Sequence, residues 1–436
     1  MKKKRVLIIS EEAWRNEDNG GNVLTNLFGP LTDEFEFAQI YCRPVKPNNN
    51  VCKKYFHLST ADMMHAVFFF KKYGYSFNYN DCDIEKLISS SQTTTKIWYK
   101  IKQYPWGILF LIRDILFMLS RWRTKELNDF VTDFDPDIIF APMYGNVYMH
   151  LIDRYVAKIT GKKLISYVSD DHLTFRQYSW SPIYWLNRLR LRRQIIKTSK
   201  YYSLLYTMTD EQKAEYEQIL NIPMKILKKA KPFKVAHFQE KLNKPLRLIY
   251  GGNLSANRSE TLSNIRKALC NINKKGKVAE LAIYTQSYIS PKMRNTLHDG
   301  DNSFLMGKVS LEELTNQYNK SDILLHVESF NRKARLQTRL SFSTKIIDLM
   351  HSCRCIVAIC WDESSPYRYL NGNDLAYCIS SEGDIESSLK YLFEHPSLIN
   401  GYAYKAWNFG ALNHNIKVVE NELRSDLIKH LDDRLT

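Results

Sequence analysis

Short apolar runs alternate along the chain with longer stretches in which apolar residues recur at helical spacing. Runs of this kind, bounded by turn residues, predict β-strands separated by helices, a pattern typical of parallel sheets covered on both faces. The series begins twice. The sequence therefore predicts an α/β fold of two doubly wound, Rossmann-like domains facing a central cleft, where the carboxyl ends of the strands bind ligands. The predicted strands are 5–10, 36–41, 138–141, 164–168, 203–207, 247–251, 280–284, 303–306, 322–327 and 355–359.

A polar stretch at about 231–245 contains two prolines and separates the two series of strands, so we interpret it as the interdomain linker. The predicted domains are residues 1–235 and residues 245–410. We expect 411–436 to form a C-terminal helix that packs back on the first domain.

Residues 50–130 fit the alternation less well, because they are rich in Phe, Tyr and Lys and their pattern predicts mostly helix. Six apolar residues in this region recur at the i, i+3, i+4, i+7 spacing that is typical of core helices. We therefore expect one helix with its apolar side against the core of the first domain, formed around Ile108, Leu111, Ile112, Ile115, Leu116 and Leu119.

The formal net charge of +16 on 436 residues indicates an anionic partner, such as nucleic acid, an anionic membrane or a phosphorylated substrate. No nucleic-acid-binding motif is present, so we expect no nucleic acid partner. Residues 180–202 carry six cations and no acid, and they begin with Trp180, Tyr184 and Trp185. Aromatic residues beside a basic helix favour contact with an anionic lipid surface. A basic face exposed to solvent is the alternative.

The eight cysteines include no C-x-x-C pair, which favours reduced thiols and a cytoplasmic protein. The basic N-terminus is followed by a short apolar run that predicts a first strand rather than a signal peptide. No stretch approaches the roughly 20 apolar residues that a spanning helix needs. We therefore expect a location in the cytoplasm, peripheral on the inner face of the cytoplasmic membrane.

A cation stands where a helix is predicted to begin in the second domain. Ser343, Thr344 and Lys345 precede an apolar run with helical spacing, although a helix N-terminus normally favours an acid. An anion held by the lysine, the hydroxyl groups and backbone N–H groups would explain the cation. A solvent-exposed surface lysine is the alternative.

A second cation is expected at the same edge of this sheet. Gly251 and Gly252 end a predicted strand, and Arg258 lies near the start of the next helix. Glycines allow a ligand to approach the backbone closely. Together with this glycine turn, Arg258 and Lys345 would form a site for a diphosphate. Asp348 lies one turn after Lys345, where it could accept both hydroxyls of a ribose or simply face the helix dipole. His326 and Glu328 lie at the end of another strand at this edge and could reach the ligand. A purely structural role at the strand end is an equally open alternative.

These segments resemble bacterial GT-B glycosyltransferases of the family 4 type, from capsule, O-antigen and exopolysaccharide synthesis. The resemblance lies in YGGNLSANRSETL, DILLHVESF and SFSTKIIDLMHSCRCIVA, and more loosely in RVLIIS and NGGNVLTNL. It implies sugar transfer from a UDP- or GDP-linked donor, with retention and with neither metal ion nor other cofactor. By position, Arg258 and Lys345 match the pair that neutralises the diphosphate, and Asp348 matches the second acid of the E-x7-E motif. The first acid of that motif falls at Leu340, and Asn253 stands where many members have arginine.

The first domain is expected to supply the acceptor side. Gly20 and Gly21 follow the first strand and match the family's glycine loop, while Asp171 and His172 follow the strand at 164–168. An acid or imidazole there could orient the attacking hydroxyl, although capping by the aspartate is equally open. The donor-binding residues predicted in the second domain are Gly252, Asn253, Arg258, Glu328, Ser343, Thr344, Lys345 and Asp348.

The function predicted from these features is transfer of a sugar from a nucleotide sugar to a saccharide or lipid-linked saccharide in surface polysaccharide synthesis. Two alternatives remain open. A catalytically silent GT-B scaffold is favoured by Leu340, and a GT-B sugar-nucleotide epimerase would need more carboxylates in the cleft.

Overall fold

The computed structural model describes residues 3–16, 19–43, 45–59, 63, 67, 73–80, 107–431 and 433–435. The chain divides into two compact units. Unit 1 comprises 1–175, 179–227 and 419–436, and unit 2 comprises 176–178 and 228–418. The predicted linker at 231–245 therefore lies within unit 2.

Unit 1 is built on an eight-stranded sheet in the order β4-β3-β2-β1-β5-β6-β7-β8. All neighbouring strands are parallel except β3 and β4, which pair antiparallel. The strands are β1 (Lys4–Ser10), β2 (Phe35–Tyr41), β3 (Cys52–His57), β4 (Tyr75–Asn78), β5 (Ile138–Pro142), β6 (Leu164–Tyr167), β7 (Tyr202–Thr207) and β8 (Met224–Ile226). The helices that begin in this unit are α1 (Asn19–Phe28), α2 (Gly107–Leu119), α3 (Lys125–Phe134), α4 (Val147–Thr160), α5 (Pro182–Ser199) and α6 (Asp210–Glu217).

Unit 2 is built on a six-stranded parallel sheet in the order β11-β10-β9-β12-β13-β14. Its strands are β9 (Leu246–Gly251), β10 (Ala279–Tyr284), β11 (Ser303–Gly307), β12 (Ile323–Val327), β13 (Cys355–Ile359) and β14 (Tyr377–Ile379). Its helices are α7 (Arg258–Ile272), α8 (Pro291–Leu297), α9 (Leu311–Asn319), α10 (Arg332–Thr338), α11 (Lys345–His351), α12 (Ser365–Gly372), α13 (Ile385–Glu394) and α14 (Pro396–Asn413). A last helix, α15 (Ile416–Lys429), leaves unit 2 after Val418 and lies mostly in unit 1.

The central strands form the core of each unit because they are apolar on both faces, as parallel strands between two layers of helices must be. Residues 6–9 of β1 and every residue of β12 and β13 are buried. The α/β fold with two parallel-sheet domains is confirmed, including all ten strands predicted from the apolar runs.

Within residues 50–130 the described residues form β3 and β4 as well as α2 and the start of α3, and much of the region lies outside the described residues, so the expectation of mostly helix stays a prediction. The expectation for the apolar helix is wrong, because α2 does not turn its apolar stripe to the core. Ile108, Ile112, Ile115 and Leu119 are exposed, whereas Phe117 is buried. The spacing identified the helix correctly, but periodicity alone does not show which side faces the protein.

No helix within the described ranges is both long and apolar enough to span a bilayer.

Candidate functional site

The centre of each sheet contains a point where the strand order reverses, and in unit 2 this point lies between β9 and β12. β9 pairs with β10 on one side and with β12 on the other, so the loops after β9 and β12 leave the sheet in opposite directions. The crevice between such loops is where open parallel sheets bind ligands. The predicted donor residues Gly252, Asn253, Arg258 and Glu328 follow these two strands.

Arg258 connects the two loops. It is the first residue of α7, and its guanidinium donates to Asn253 Oδ1 at 2.8 Å and to Glu328 Oε1 at 2.8 Å. Its Nε also donates to the carbonyl of Val327 at 3.2 Å. The neighbouring carboxylate outweighs the effect of burial and raises the pKa of Arg258. The guanidinium is therefore a fixed positive charge at the crevice.

Glu328 is a deeply buried acid, and the structure shows a hydrogen-bond partner for only one of its two carboxylate oxygens among the described residues. Its Oε1 binds Arg258, whereas Oε2 has no hydrogen-bond partner among the described residues. Burial raises the pKa of Glu328, and Arg258 opposes that shift. His326, two residues earlier on β12, places its Nε2 3.9 Å from Oε1 and likewise lacks a hydrogen-bond partner in the part of the chain that the structure describes. Burial and the nearby cations lower the pKa of His326 to about 3, so the imidazole is neutral. Two unsatisfied buried polar atoms side by side are uncommon, and they point to a polar ligand.

Lys345 is the second cation at this point. A Cβ added at Gly252 would collide with Lys345 Nζ, so the ammonium group lies directly against the glycine turn. Burial, and then the charge of Arg258, lower the pKa of Lys345 to about 8. Within the described ranges, no hydrogen bond or ion pair holds this ammonium. A half-buried cation that is unpaired among the described residues and lies beside a guanidinium is a site prepared for an anion.

Gly251 and Gly252 contribute to the site because their missing side chains leave room for neighbouring groups. A Cβ at Gly251 would collide with the hydroxyl of Tyr318, and one at Gly252 would come within 2.9 Å of the Tyr250 hydroxyl as well as Lys345. The N–H of Gly252 already donates to the carbonyl of Tyr284 at 2.9 Å. This N–H is therefore already engaged, and the glycines make room for the lysine and the tyrosines.

The helix start at residues 343–345 is confirmed, since α11 begins at Lys345. Thr344 is its N-cap residue but makes no capping hydrogen bond through its side chain, and Ser343 accepts from the N–H of Ile346 through its carbonyl. The helix has only seven residues, so its dipole is weak and the cation itself carries most of the attraction for an anion.

Asp348 is not the free carboxylate that the sequence predicted. Lys229 Nζ lies 2.9 Å from both of its oxygens, and Lys231 Nζ lies 3.0 Å from Oδ1. The spacing of residues along α11 could not reveal these partners, because Lys229 lies 119 residues earlier in the chain and Lys231 lies close to it. With Arg258 and Lys345, the site contains four cations against two carboxylates, a balance that suits a doubly charged anion.

Leu340 is buried in the core, so no acid is present at the position of the first acid of the motif. Glu328 instead presents an acid at the end of β12, and α10 lies between the two positions.

In unit 1 the corresponding reversal lies between β1 and β5. Glu11 follows β1, and its carboxylate accepts from Asn146 Nδ2 at 2.7 Å, Tyr148 Oη at 3.2 Å and Arg43 Nε at 3.2 Å. The sequence prediction missed this cluster, although Glu11 stands immediately after a predicted strand. That position was the available signal.

Asp171 is fully engaged by its own neighbours. Its carboxylate accepts from the backbone N–H groups of Leu173 and Thr174, from the Thr174 hydroxyl and from Tyr216, and it lies 3.1 Å from Arg188 Nη2. These contacts hold the turn at residues 171–174 rather than cap a helix, since the next helix begins only at Pro182. The predicted role of Asp171 in catalysis is therefore not supported by its geometry.

His172 is the better placed of the pair. Its ring packs on Gly145, where a Cβ would approach Cε1 at 3.1 Å, and only its backbone N–H is fixed, by donation to Tyr216 Oη at 3.0 Å. Burial lowers the pKa of His172, and Arg188 adds to this, against the opposing charges of Asp170 and Asp171. The imidazole is neutral at pH 7 and has a basic nitrogen to offer.

Gly20 and Gly21 do not form a loop. They lie in the first turn of α1, which begins at Asn19, so the predicted glycine loop is wrong. A helix can begin here because glycine at the N-terminal end costs less than in a helix interior.

Comparison with known proteins finds no matching protein-family model and no curated protein with detectable sequence similarity. Solved structures do match. Sucrose-phosphate synthase from Thermosynechococcus elongatus superposes with a TM-score of 0.64 and 9% identity over 98% of this chain and 99% of its own. HepE of Anabaena, in complex with UDP and glucose, matches with a TM-score of 0.61 and 9% identity over 98% and 100% of the two chains.

A protein described as trehalose-6-phosphate from E. coli, bound with UDP-2-fluoro glucose, matches with a TM-score of 0.60 and 10% identity over 97% of this chain and 99% of its own. These structural neighbours are GT-B glycosyltransferases. The match extends over both units, so the chain has the GT-B fold predicted from its sequence.

Proposed function

We propose that this chain is a glycosyltransferase that uses a nucleotide-sugar donor. The observation that carries the proposal is the unpaired ammonium of Lys345 beside the fixed guanidinium of Arg258, at the strand reversal of unit 2. The structural neighbours crystallised with UDP, UDP-glucose or UDP-2-fluoro glucose support the donor class, UDP- or GDP-linked.

The two cations act on the diphosphate. They bind it in the ground state, and they stabilise the additional charge that develops when the bond to the sugar breaks. Such fixed donors in a partly buried site need no reorganisation during the reaction. Because protein cations perform this role, we propose turnover without a metal ion.

On the acceptor side we assign the neutral imidazole of His172 to orienting the attacking hydroxyl, in place of Asp171. The acceptor that we propose is a lipid-linked saccharide, elongated during surface polysaccharide synthesis at the inner face of the cytoplasmic membrane, and the sugar is transferred with retention. The net charge of +16 supports an anionic membrane as a partner.

The first experiment measures thermal unfolding with a panel of UDP, GDP and their sugar derivatives. A ligand that binds only the native state stabilises it by about 2.7 kcal/mol at 100 times its Kd, so the correct nucleotide should raise Tm in proportion to the logarithm of its concentration. The double variant Arg258→Gln/Glu328→Gln removes a charge pair without leaving a buried charge alone. It should fold and lose about 1.5–3 kcal/mol of nucleotide binding.

The second measurement is hydrolysis of the best donor, followed by release of UDP or GDP. Binding with hydrolysis supports the enzyme, binding without any turnover supports the scaffold alternative, and the absence of stabilisation by every nucleotide would refute the proposed donor site.

A further inference from the structure

Two neighbouring helices of unit 1, α2 and α5, expose large apolar side chains to solvent. Both pack on α4, and their buried sides, represented by Phe117 on α2 and Ile195 on α5, face the body of the unit. Their exposed sides therefore face outward together. We define the apolar face by six of these exposed side chains, Ile112, Ile115 and Leu119 on α2, and Ile183, Leu186 and Leu189 on α5.

The degree of exposure is high for residues of this size. Leu119 is 66% exposed and Leu186 is 48% exposed. Trp180, one turn before the first residues of this face on α5, is 87% exposed. Single exposed apolar residues are ordinary, but a group of them on two adjacent helices marks a surface that something covers.

The two helices run in the same direction, and this gives the surface a polarity. Asn187 Nδ2 donates to the carbonyl of Gly107 at 2.6 Å, at the start of α2, and Arg190 Nη1 lies 3.8 Å from Asp114, further along it. Cations follow the apolar residues on both helices. Exposed basic side chains extend the pattern beyond α2 and along the same side of α5, at Arg121, Arg123, Lys125, Arg193, Lys197 and Lys200.

Acids are scarce around this surface. Residues 180–202 contain none, and Asp114, the single acid of α2, is buried beside Arg113 and Arg190. Glu126 is the nearest exposed acid in sequence, in the first turn of α3. An apolar surface continued at one end by cations matches the layered chemistry of an anionic bilayer, in which acyl chains lie beneath phosphate groups.

A small open cavity lies at the boundary between the apolar and basic parts. Its volume is about 290 Å³, and it is lined by Met118, Ser120, Arg121, Trp122 and Arg123. Two arginines beside apolar and aromatic walls suit a lipid phosphate that remains attached to its acyl chains.

The contacts of α5 also correct the sequence prediction about which residues face the lipid. Arg188 is buried and donates to the carbonyls of Asp171 and Thr174, and Arg192 donates to the carbonyl of Leu173 at 2.7 Å. With Arg190 directed at Asp114, three of the six cations serve the protein interior. The apolar residues, rather than these arginines, are what α5 presents outward in its first half.

We infer that the apolar face of α2 and α5 inserts into the interface of an anionic bilayer, with the flanking cations at the level of the lipid phosphates. This deepens the membrane location proposed above, but it rests on the geometry of these two helices and uses no residue of the nucleotide site.

The test is co-sedimentation of the full chain with vesicles of phosphatidylcholine alone or mixed with phosphatidylglycerol. The wild type should bind the anionic vesicles. The triple variant Ile112→Ser/Ile115→Ser/Leu186→Ser should bind at least about tenfold more weakly, since all three side chains are exposed and would lose their contact with the bilayer. A control, Leu311→Ser/Leu412→Ser, removes apolar residues of unit 2 that are more exposed still, and it should bind as the wild type does.

The dependence of vesicle binding on salt separates the electrostatic contribution of the cations from the contribution of the apolar face. The variant Arg193→Gln/Lys197→Gln/Lys200→Gln should lose most of the preference for anionic vesicles, whereas the wild type should keep part of its binding at 1 M salt, where the Debye length is only about 3 Å. Quenching of tryptophan fluorescence by brominated lipid should fall in Trp180→Phe, which reports contact by that residue directly.

Three outcomes would overturn the inference. These are a wild type that ignores anionic vesicles at low salt, a triple variant that binds as tightly as the wild type, and a wild type that remains a dimer and unbound in the presence of anionic vesicles while the triple variant is monomeric, which would show that a second copy covers the face. Stabilisation by nucleotides should be unchanged in every variant. If nucleotides stabilise the protein while vesicle binding fails, the donor site stands and only the membrane surface is lost.

Discussion

Replacement of Lys345 by glutamine should remove both affinity for a nucleotide diphosphate and a specific dependence of that affinity on pH. In the structure, burial and then Arg258 lower the pKa of Lys345 from 10.5 to about 8. This difference corresponds to about 3 kcal/mol of unfavourable free energy for the protonated form. A bound diphosphate supplies the missing counter-charge and should return the pKa of this lysine to its ordinary range.

The sign follows from proton linkage. Below pH 8 the ammonium is present in both states, so affinity does not depend on this group. Above pH 8 the free protein loses the proton that the complex retains, and binding must take up a proton from solution. For a pKa of about 8 in the free protein and about 10.5 in the complex, Kd should rise about 20-fold between pH 7.5 and pH 9.5. The phosphates of UDP are fully ionised over this range, because their last ionisation lies near pH 6.

Calorimetric titration with UDP or GDP, whichever stabilises the protein, measures both quantities. Repetition in buffers of different ionisation enthalpy gives the number of protons taken up. Lys345→Gln should bind more weakly at pH 7.5 and show a flat profile, and Lys390→Gln, which changes an exposed lysine on α13, should retain the wild-type profile. A wild-type Kd that is constant from pH 7.5 to 9.5 would refute the assignment of Lys345 to the diphosphate.

Three further results are expected. Gly251→Ala should lower Tm without abolishing expression, because its Cβ collides with the Tyr318 hydroxyl, whereas Gly276→Ala, with open space around it but a φ of 138°, measures the cost of backbone strain alone. His172→Ala should lower kcat while leaving the Kd for the nucleotide within about twofold, since the two residues that bind the diphosphate lie in unit 2; an equal loss of nucleotide binding would contradict its assignment to the acceptor side. EDTA should leave turnover nearly unchanged, and a strict requirement for Mg²⁺ or Mn²⁺ in a steady-state assay would show that the protein cations are insufficient.

The sequence allowed the fold to be predicted well because central parallel strands are continuous apolar runs. It failed for β3 because Lys53 and Lys54 interrupt the apolar pattern, and for β14 because a strand of three residues leaves almost no pattern. These are edge or near-edge strands, whose sequences are less constrained by burial than those at the centre of a sheet.

The candidate site was predictable to the extent that it depends on positions along one element. Arg258, Lys345 and the helix start at α11 follow from local signals. The partners of Asp348 do not, because Lys229 and Lys231 approach it only through the fold. The partners of the Asp171 carboxylate could not be predicted either, because Arg188 and the backbone N–H groups of its own turn reach it only in the folded chain.

The apolar face of α2 and α5 also bears on how the purified protein behaves. Away from lipid, exposed Ile and Leu side chains remain in contact with water, and two copies that bring these faces together remove that contact. Self-association of this kind depends on protein concentration and is reversed by mild detergent, unlike a dimer held by a specific polar interface. An apparent oligomeric state measured in aqueous buffer therefore reflects the absence of a bilayer as much as any biological assembly.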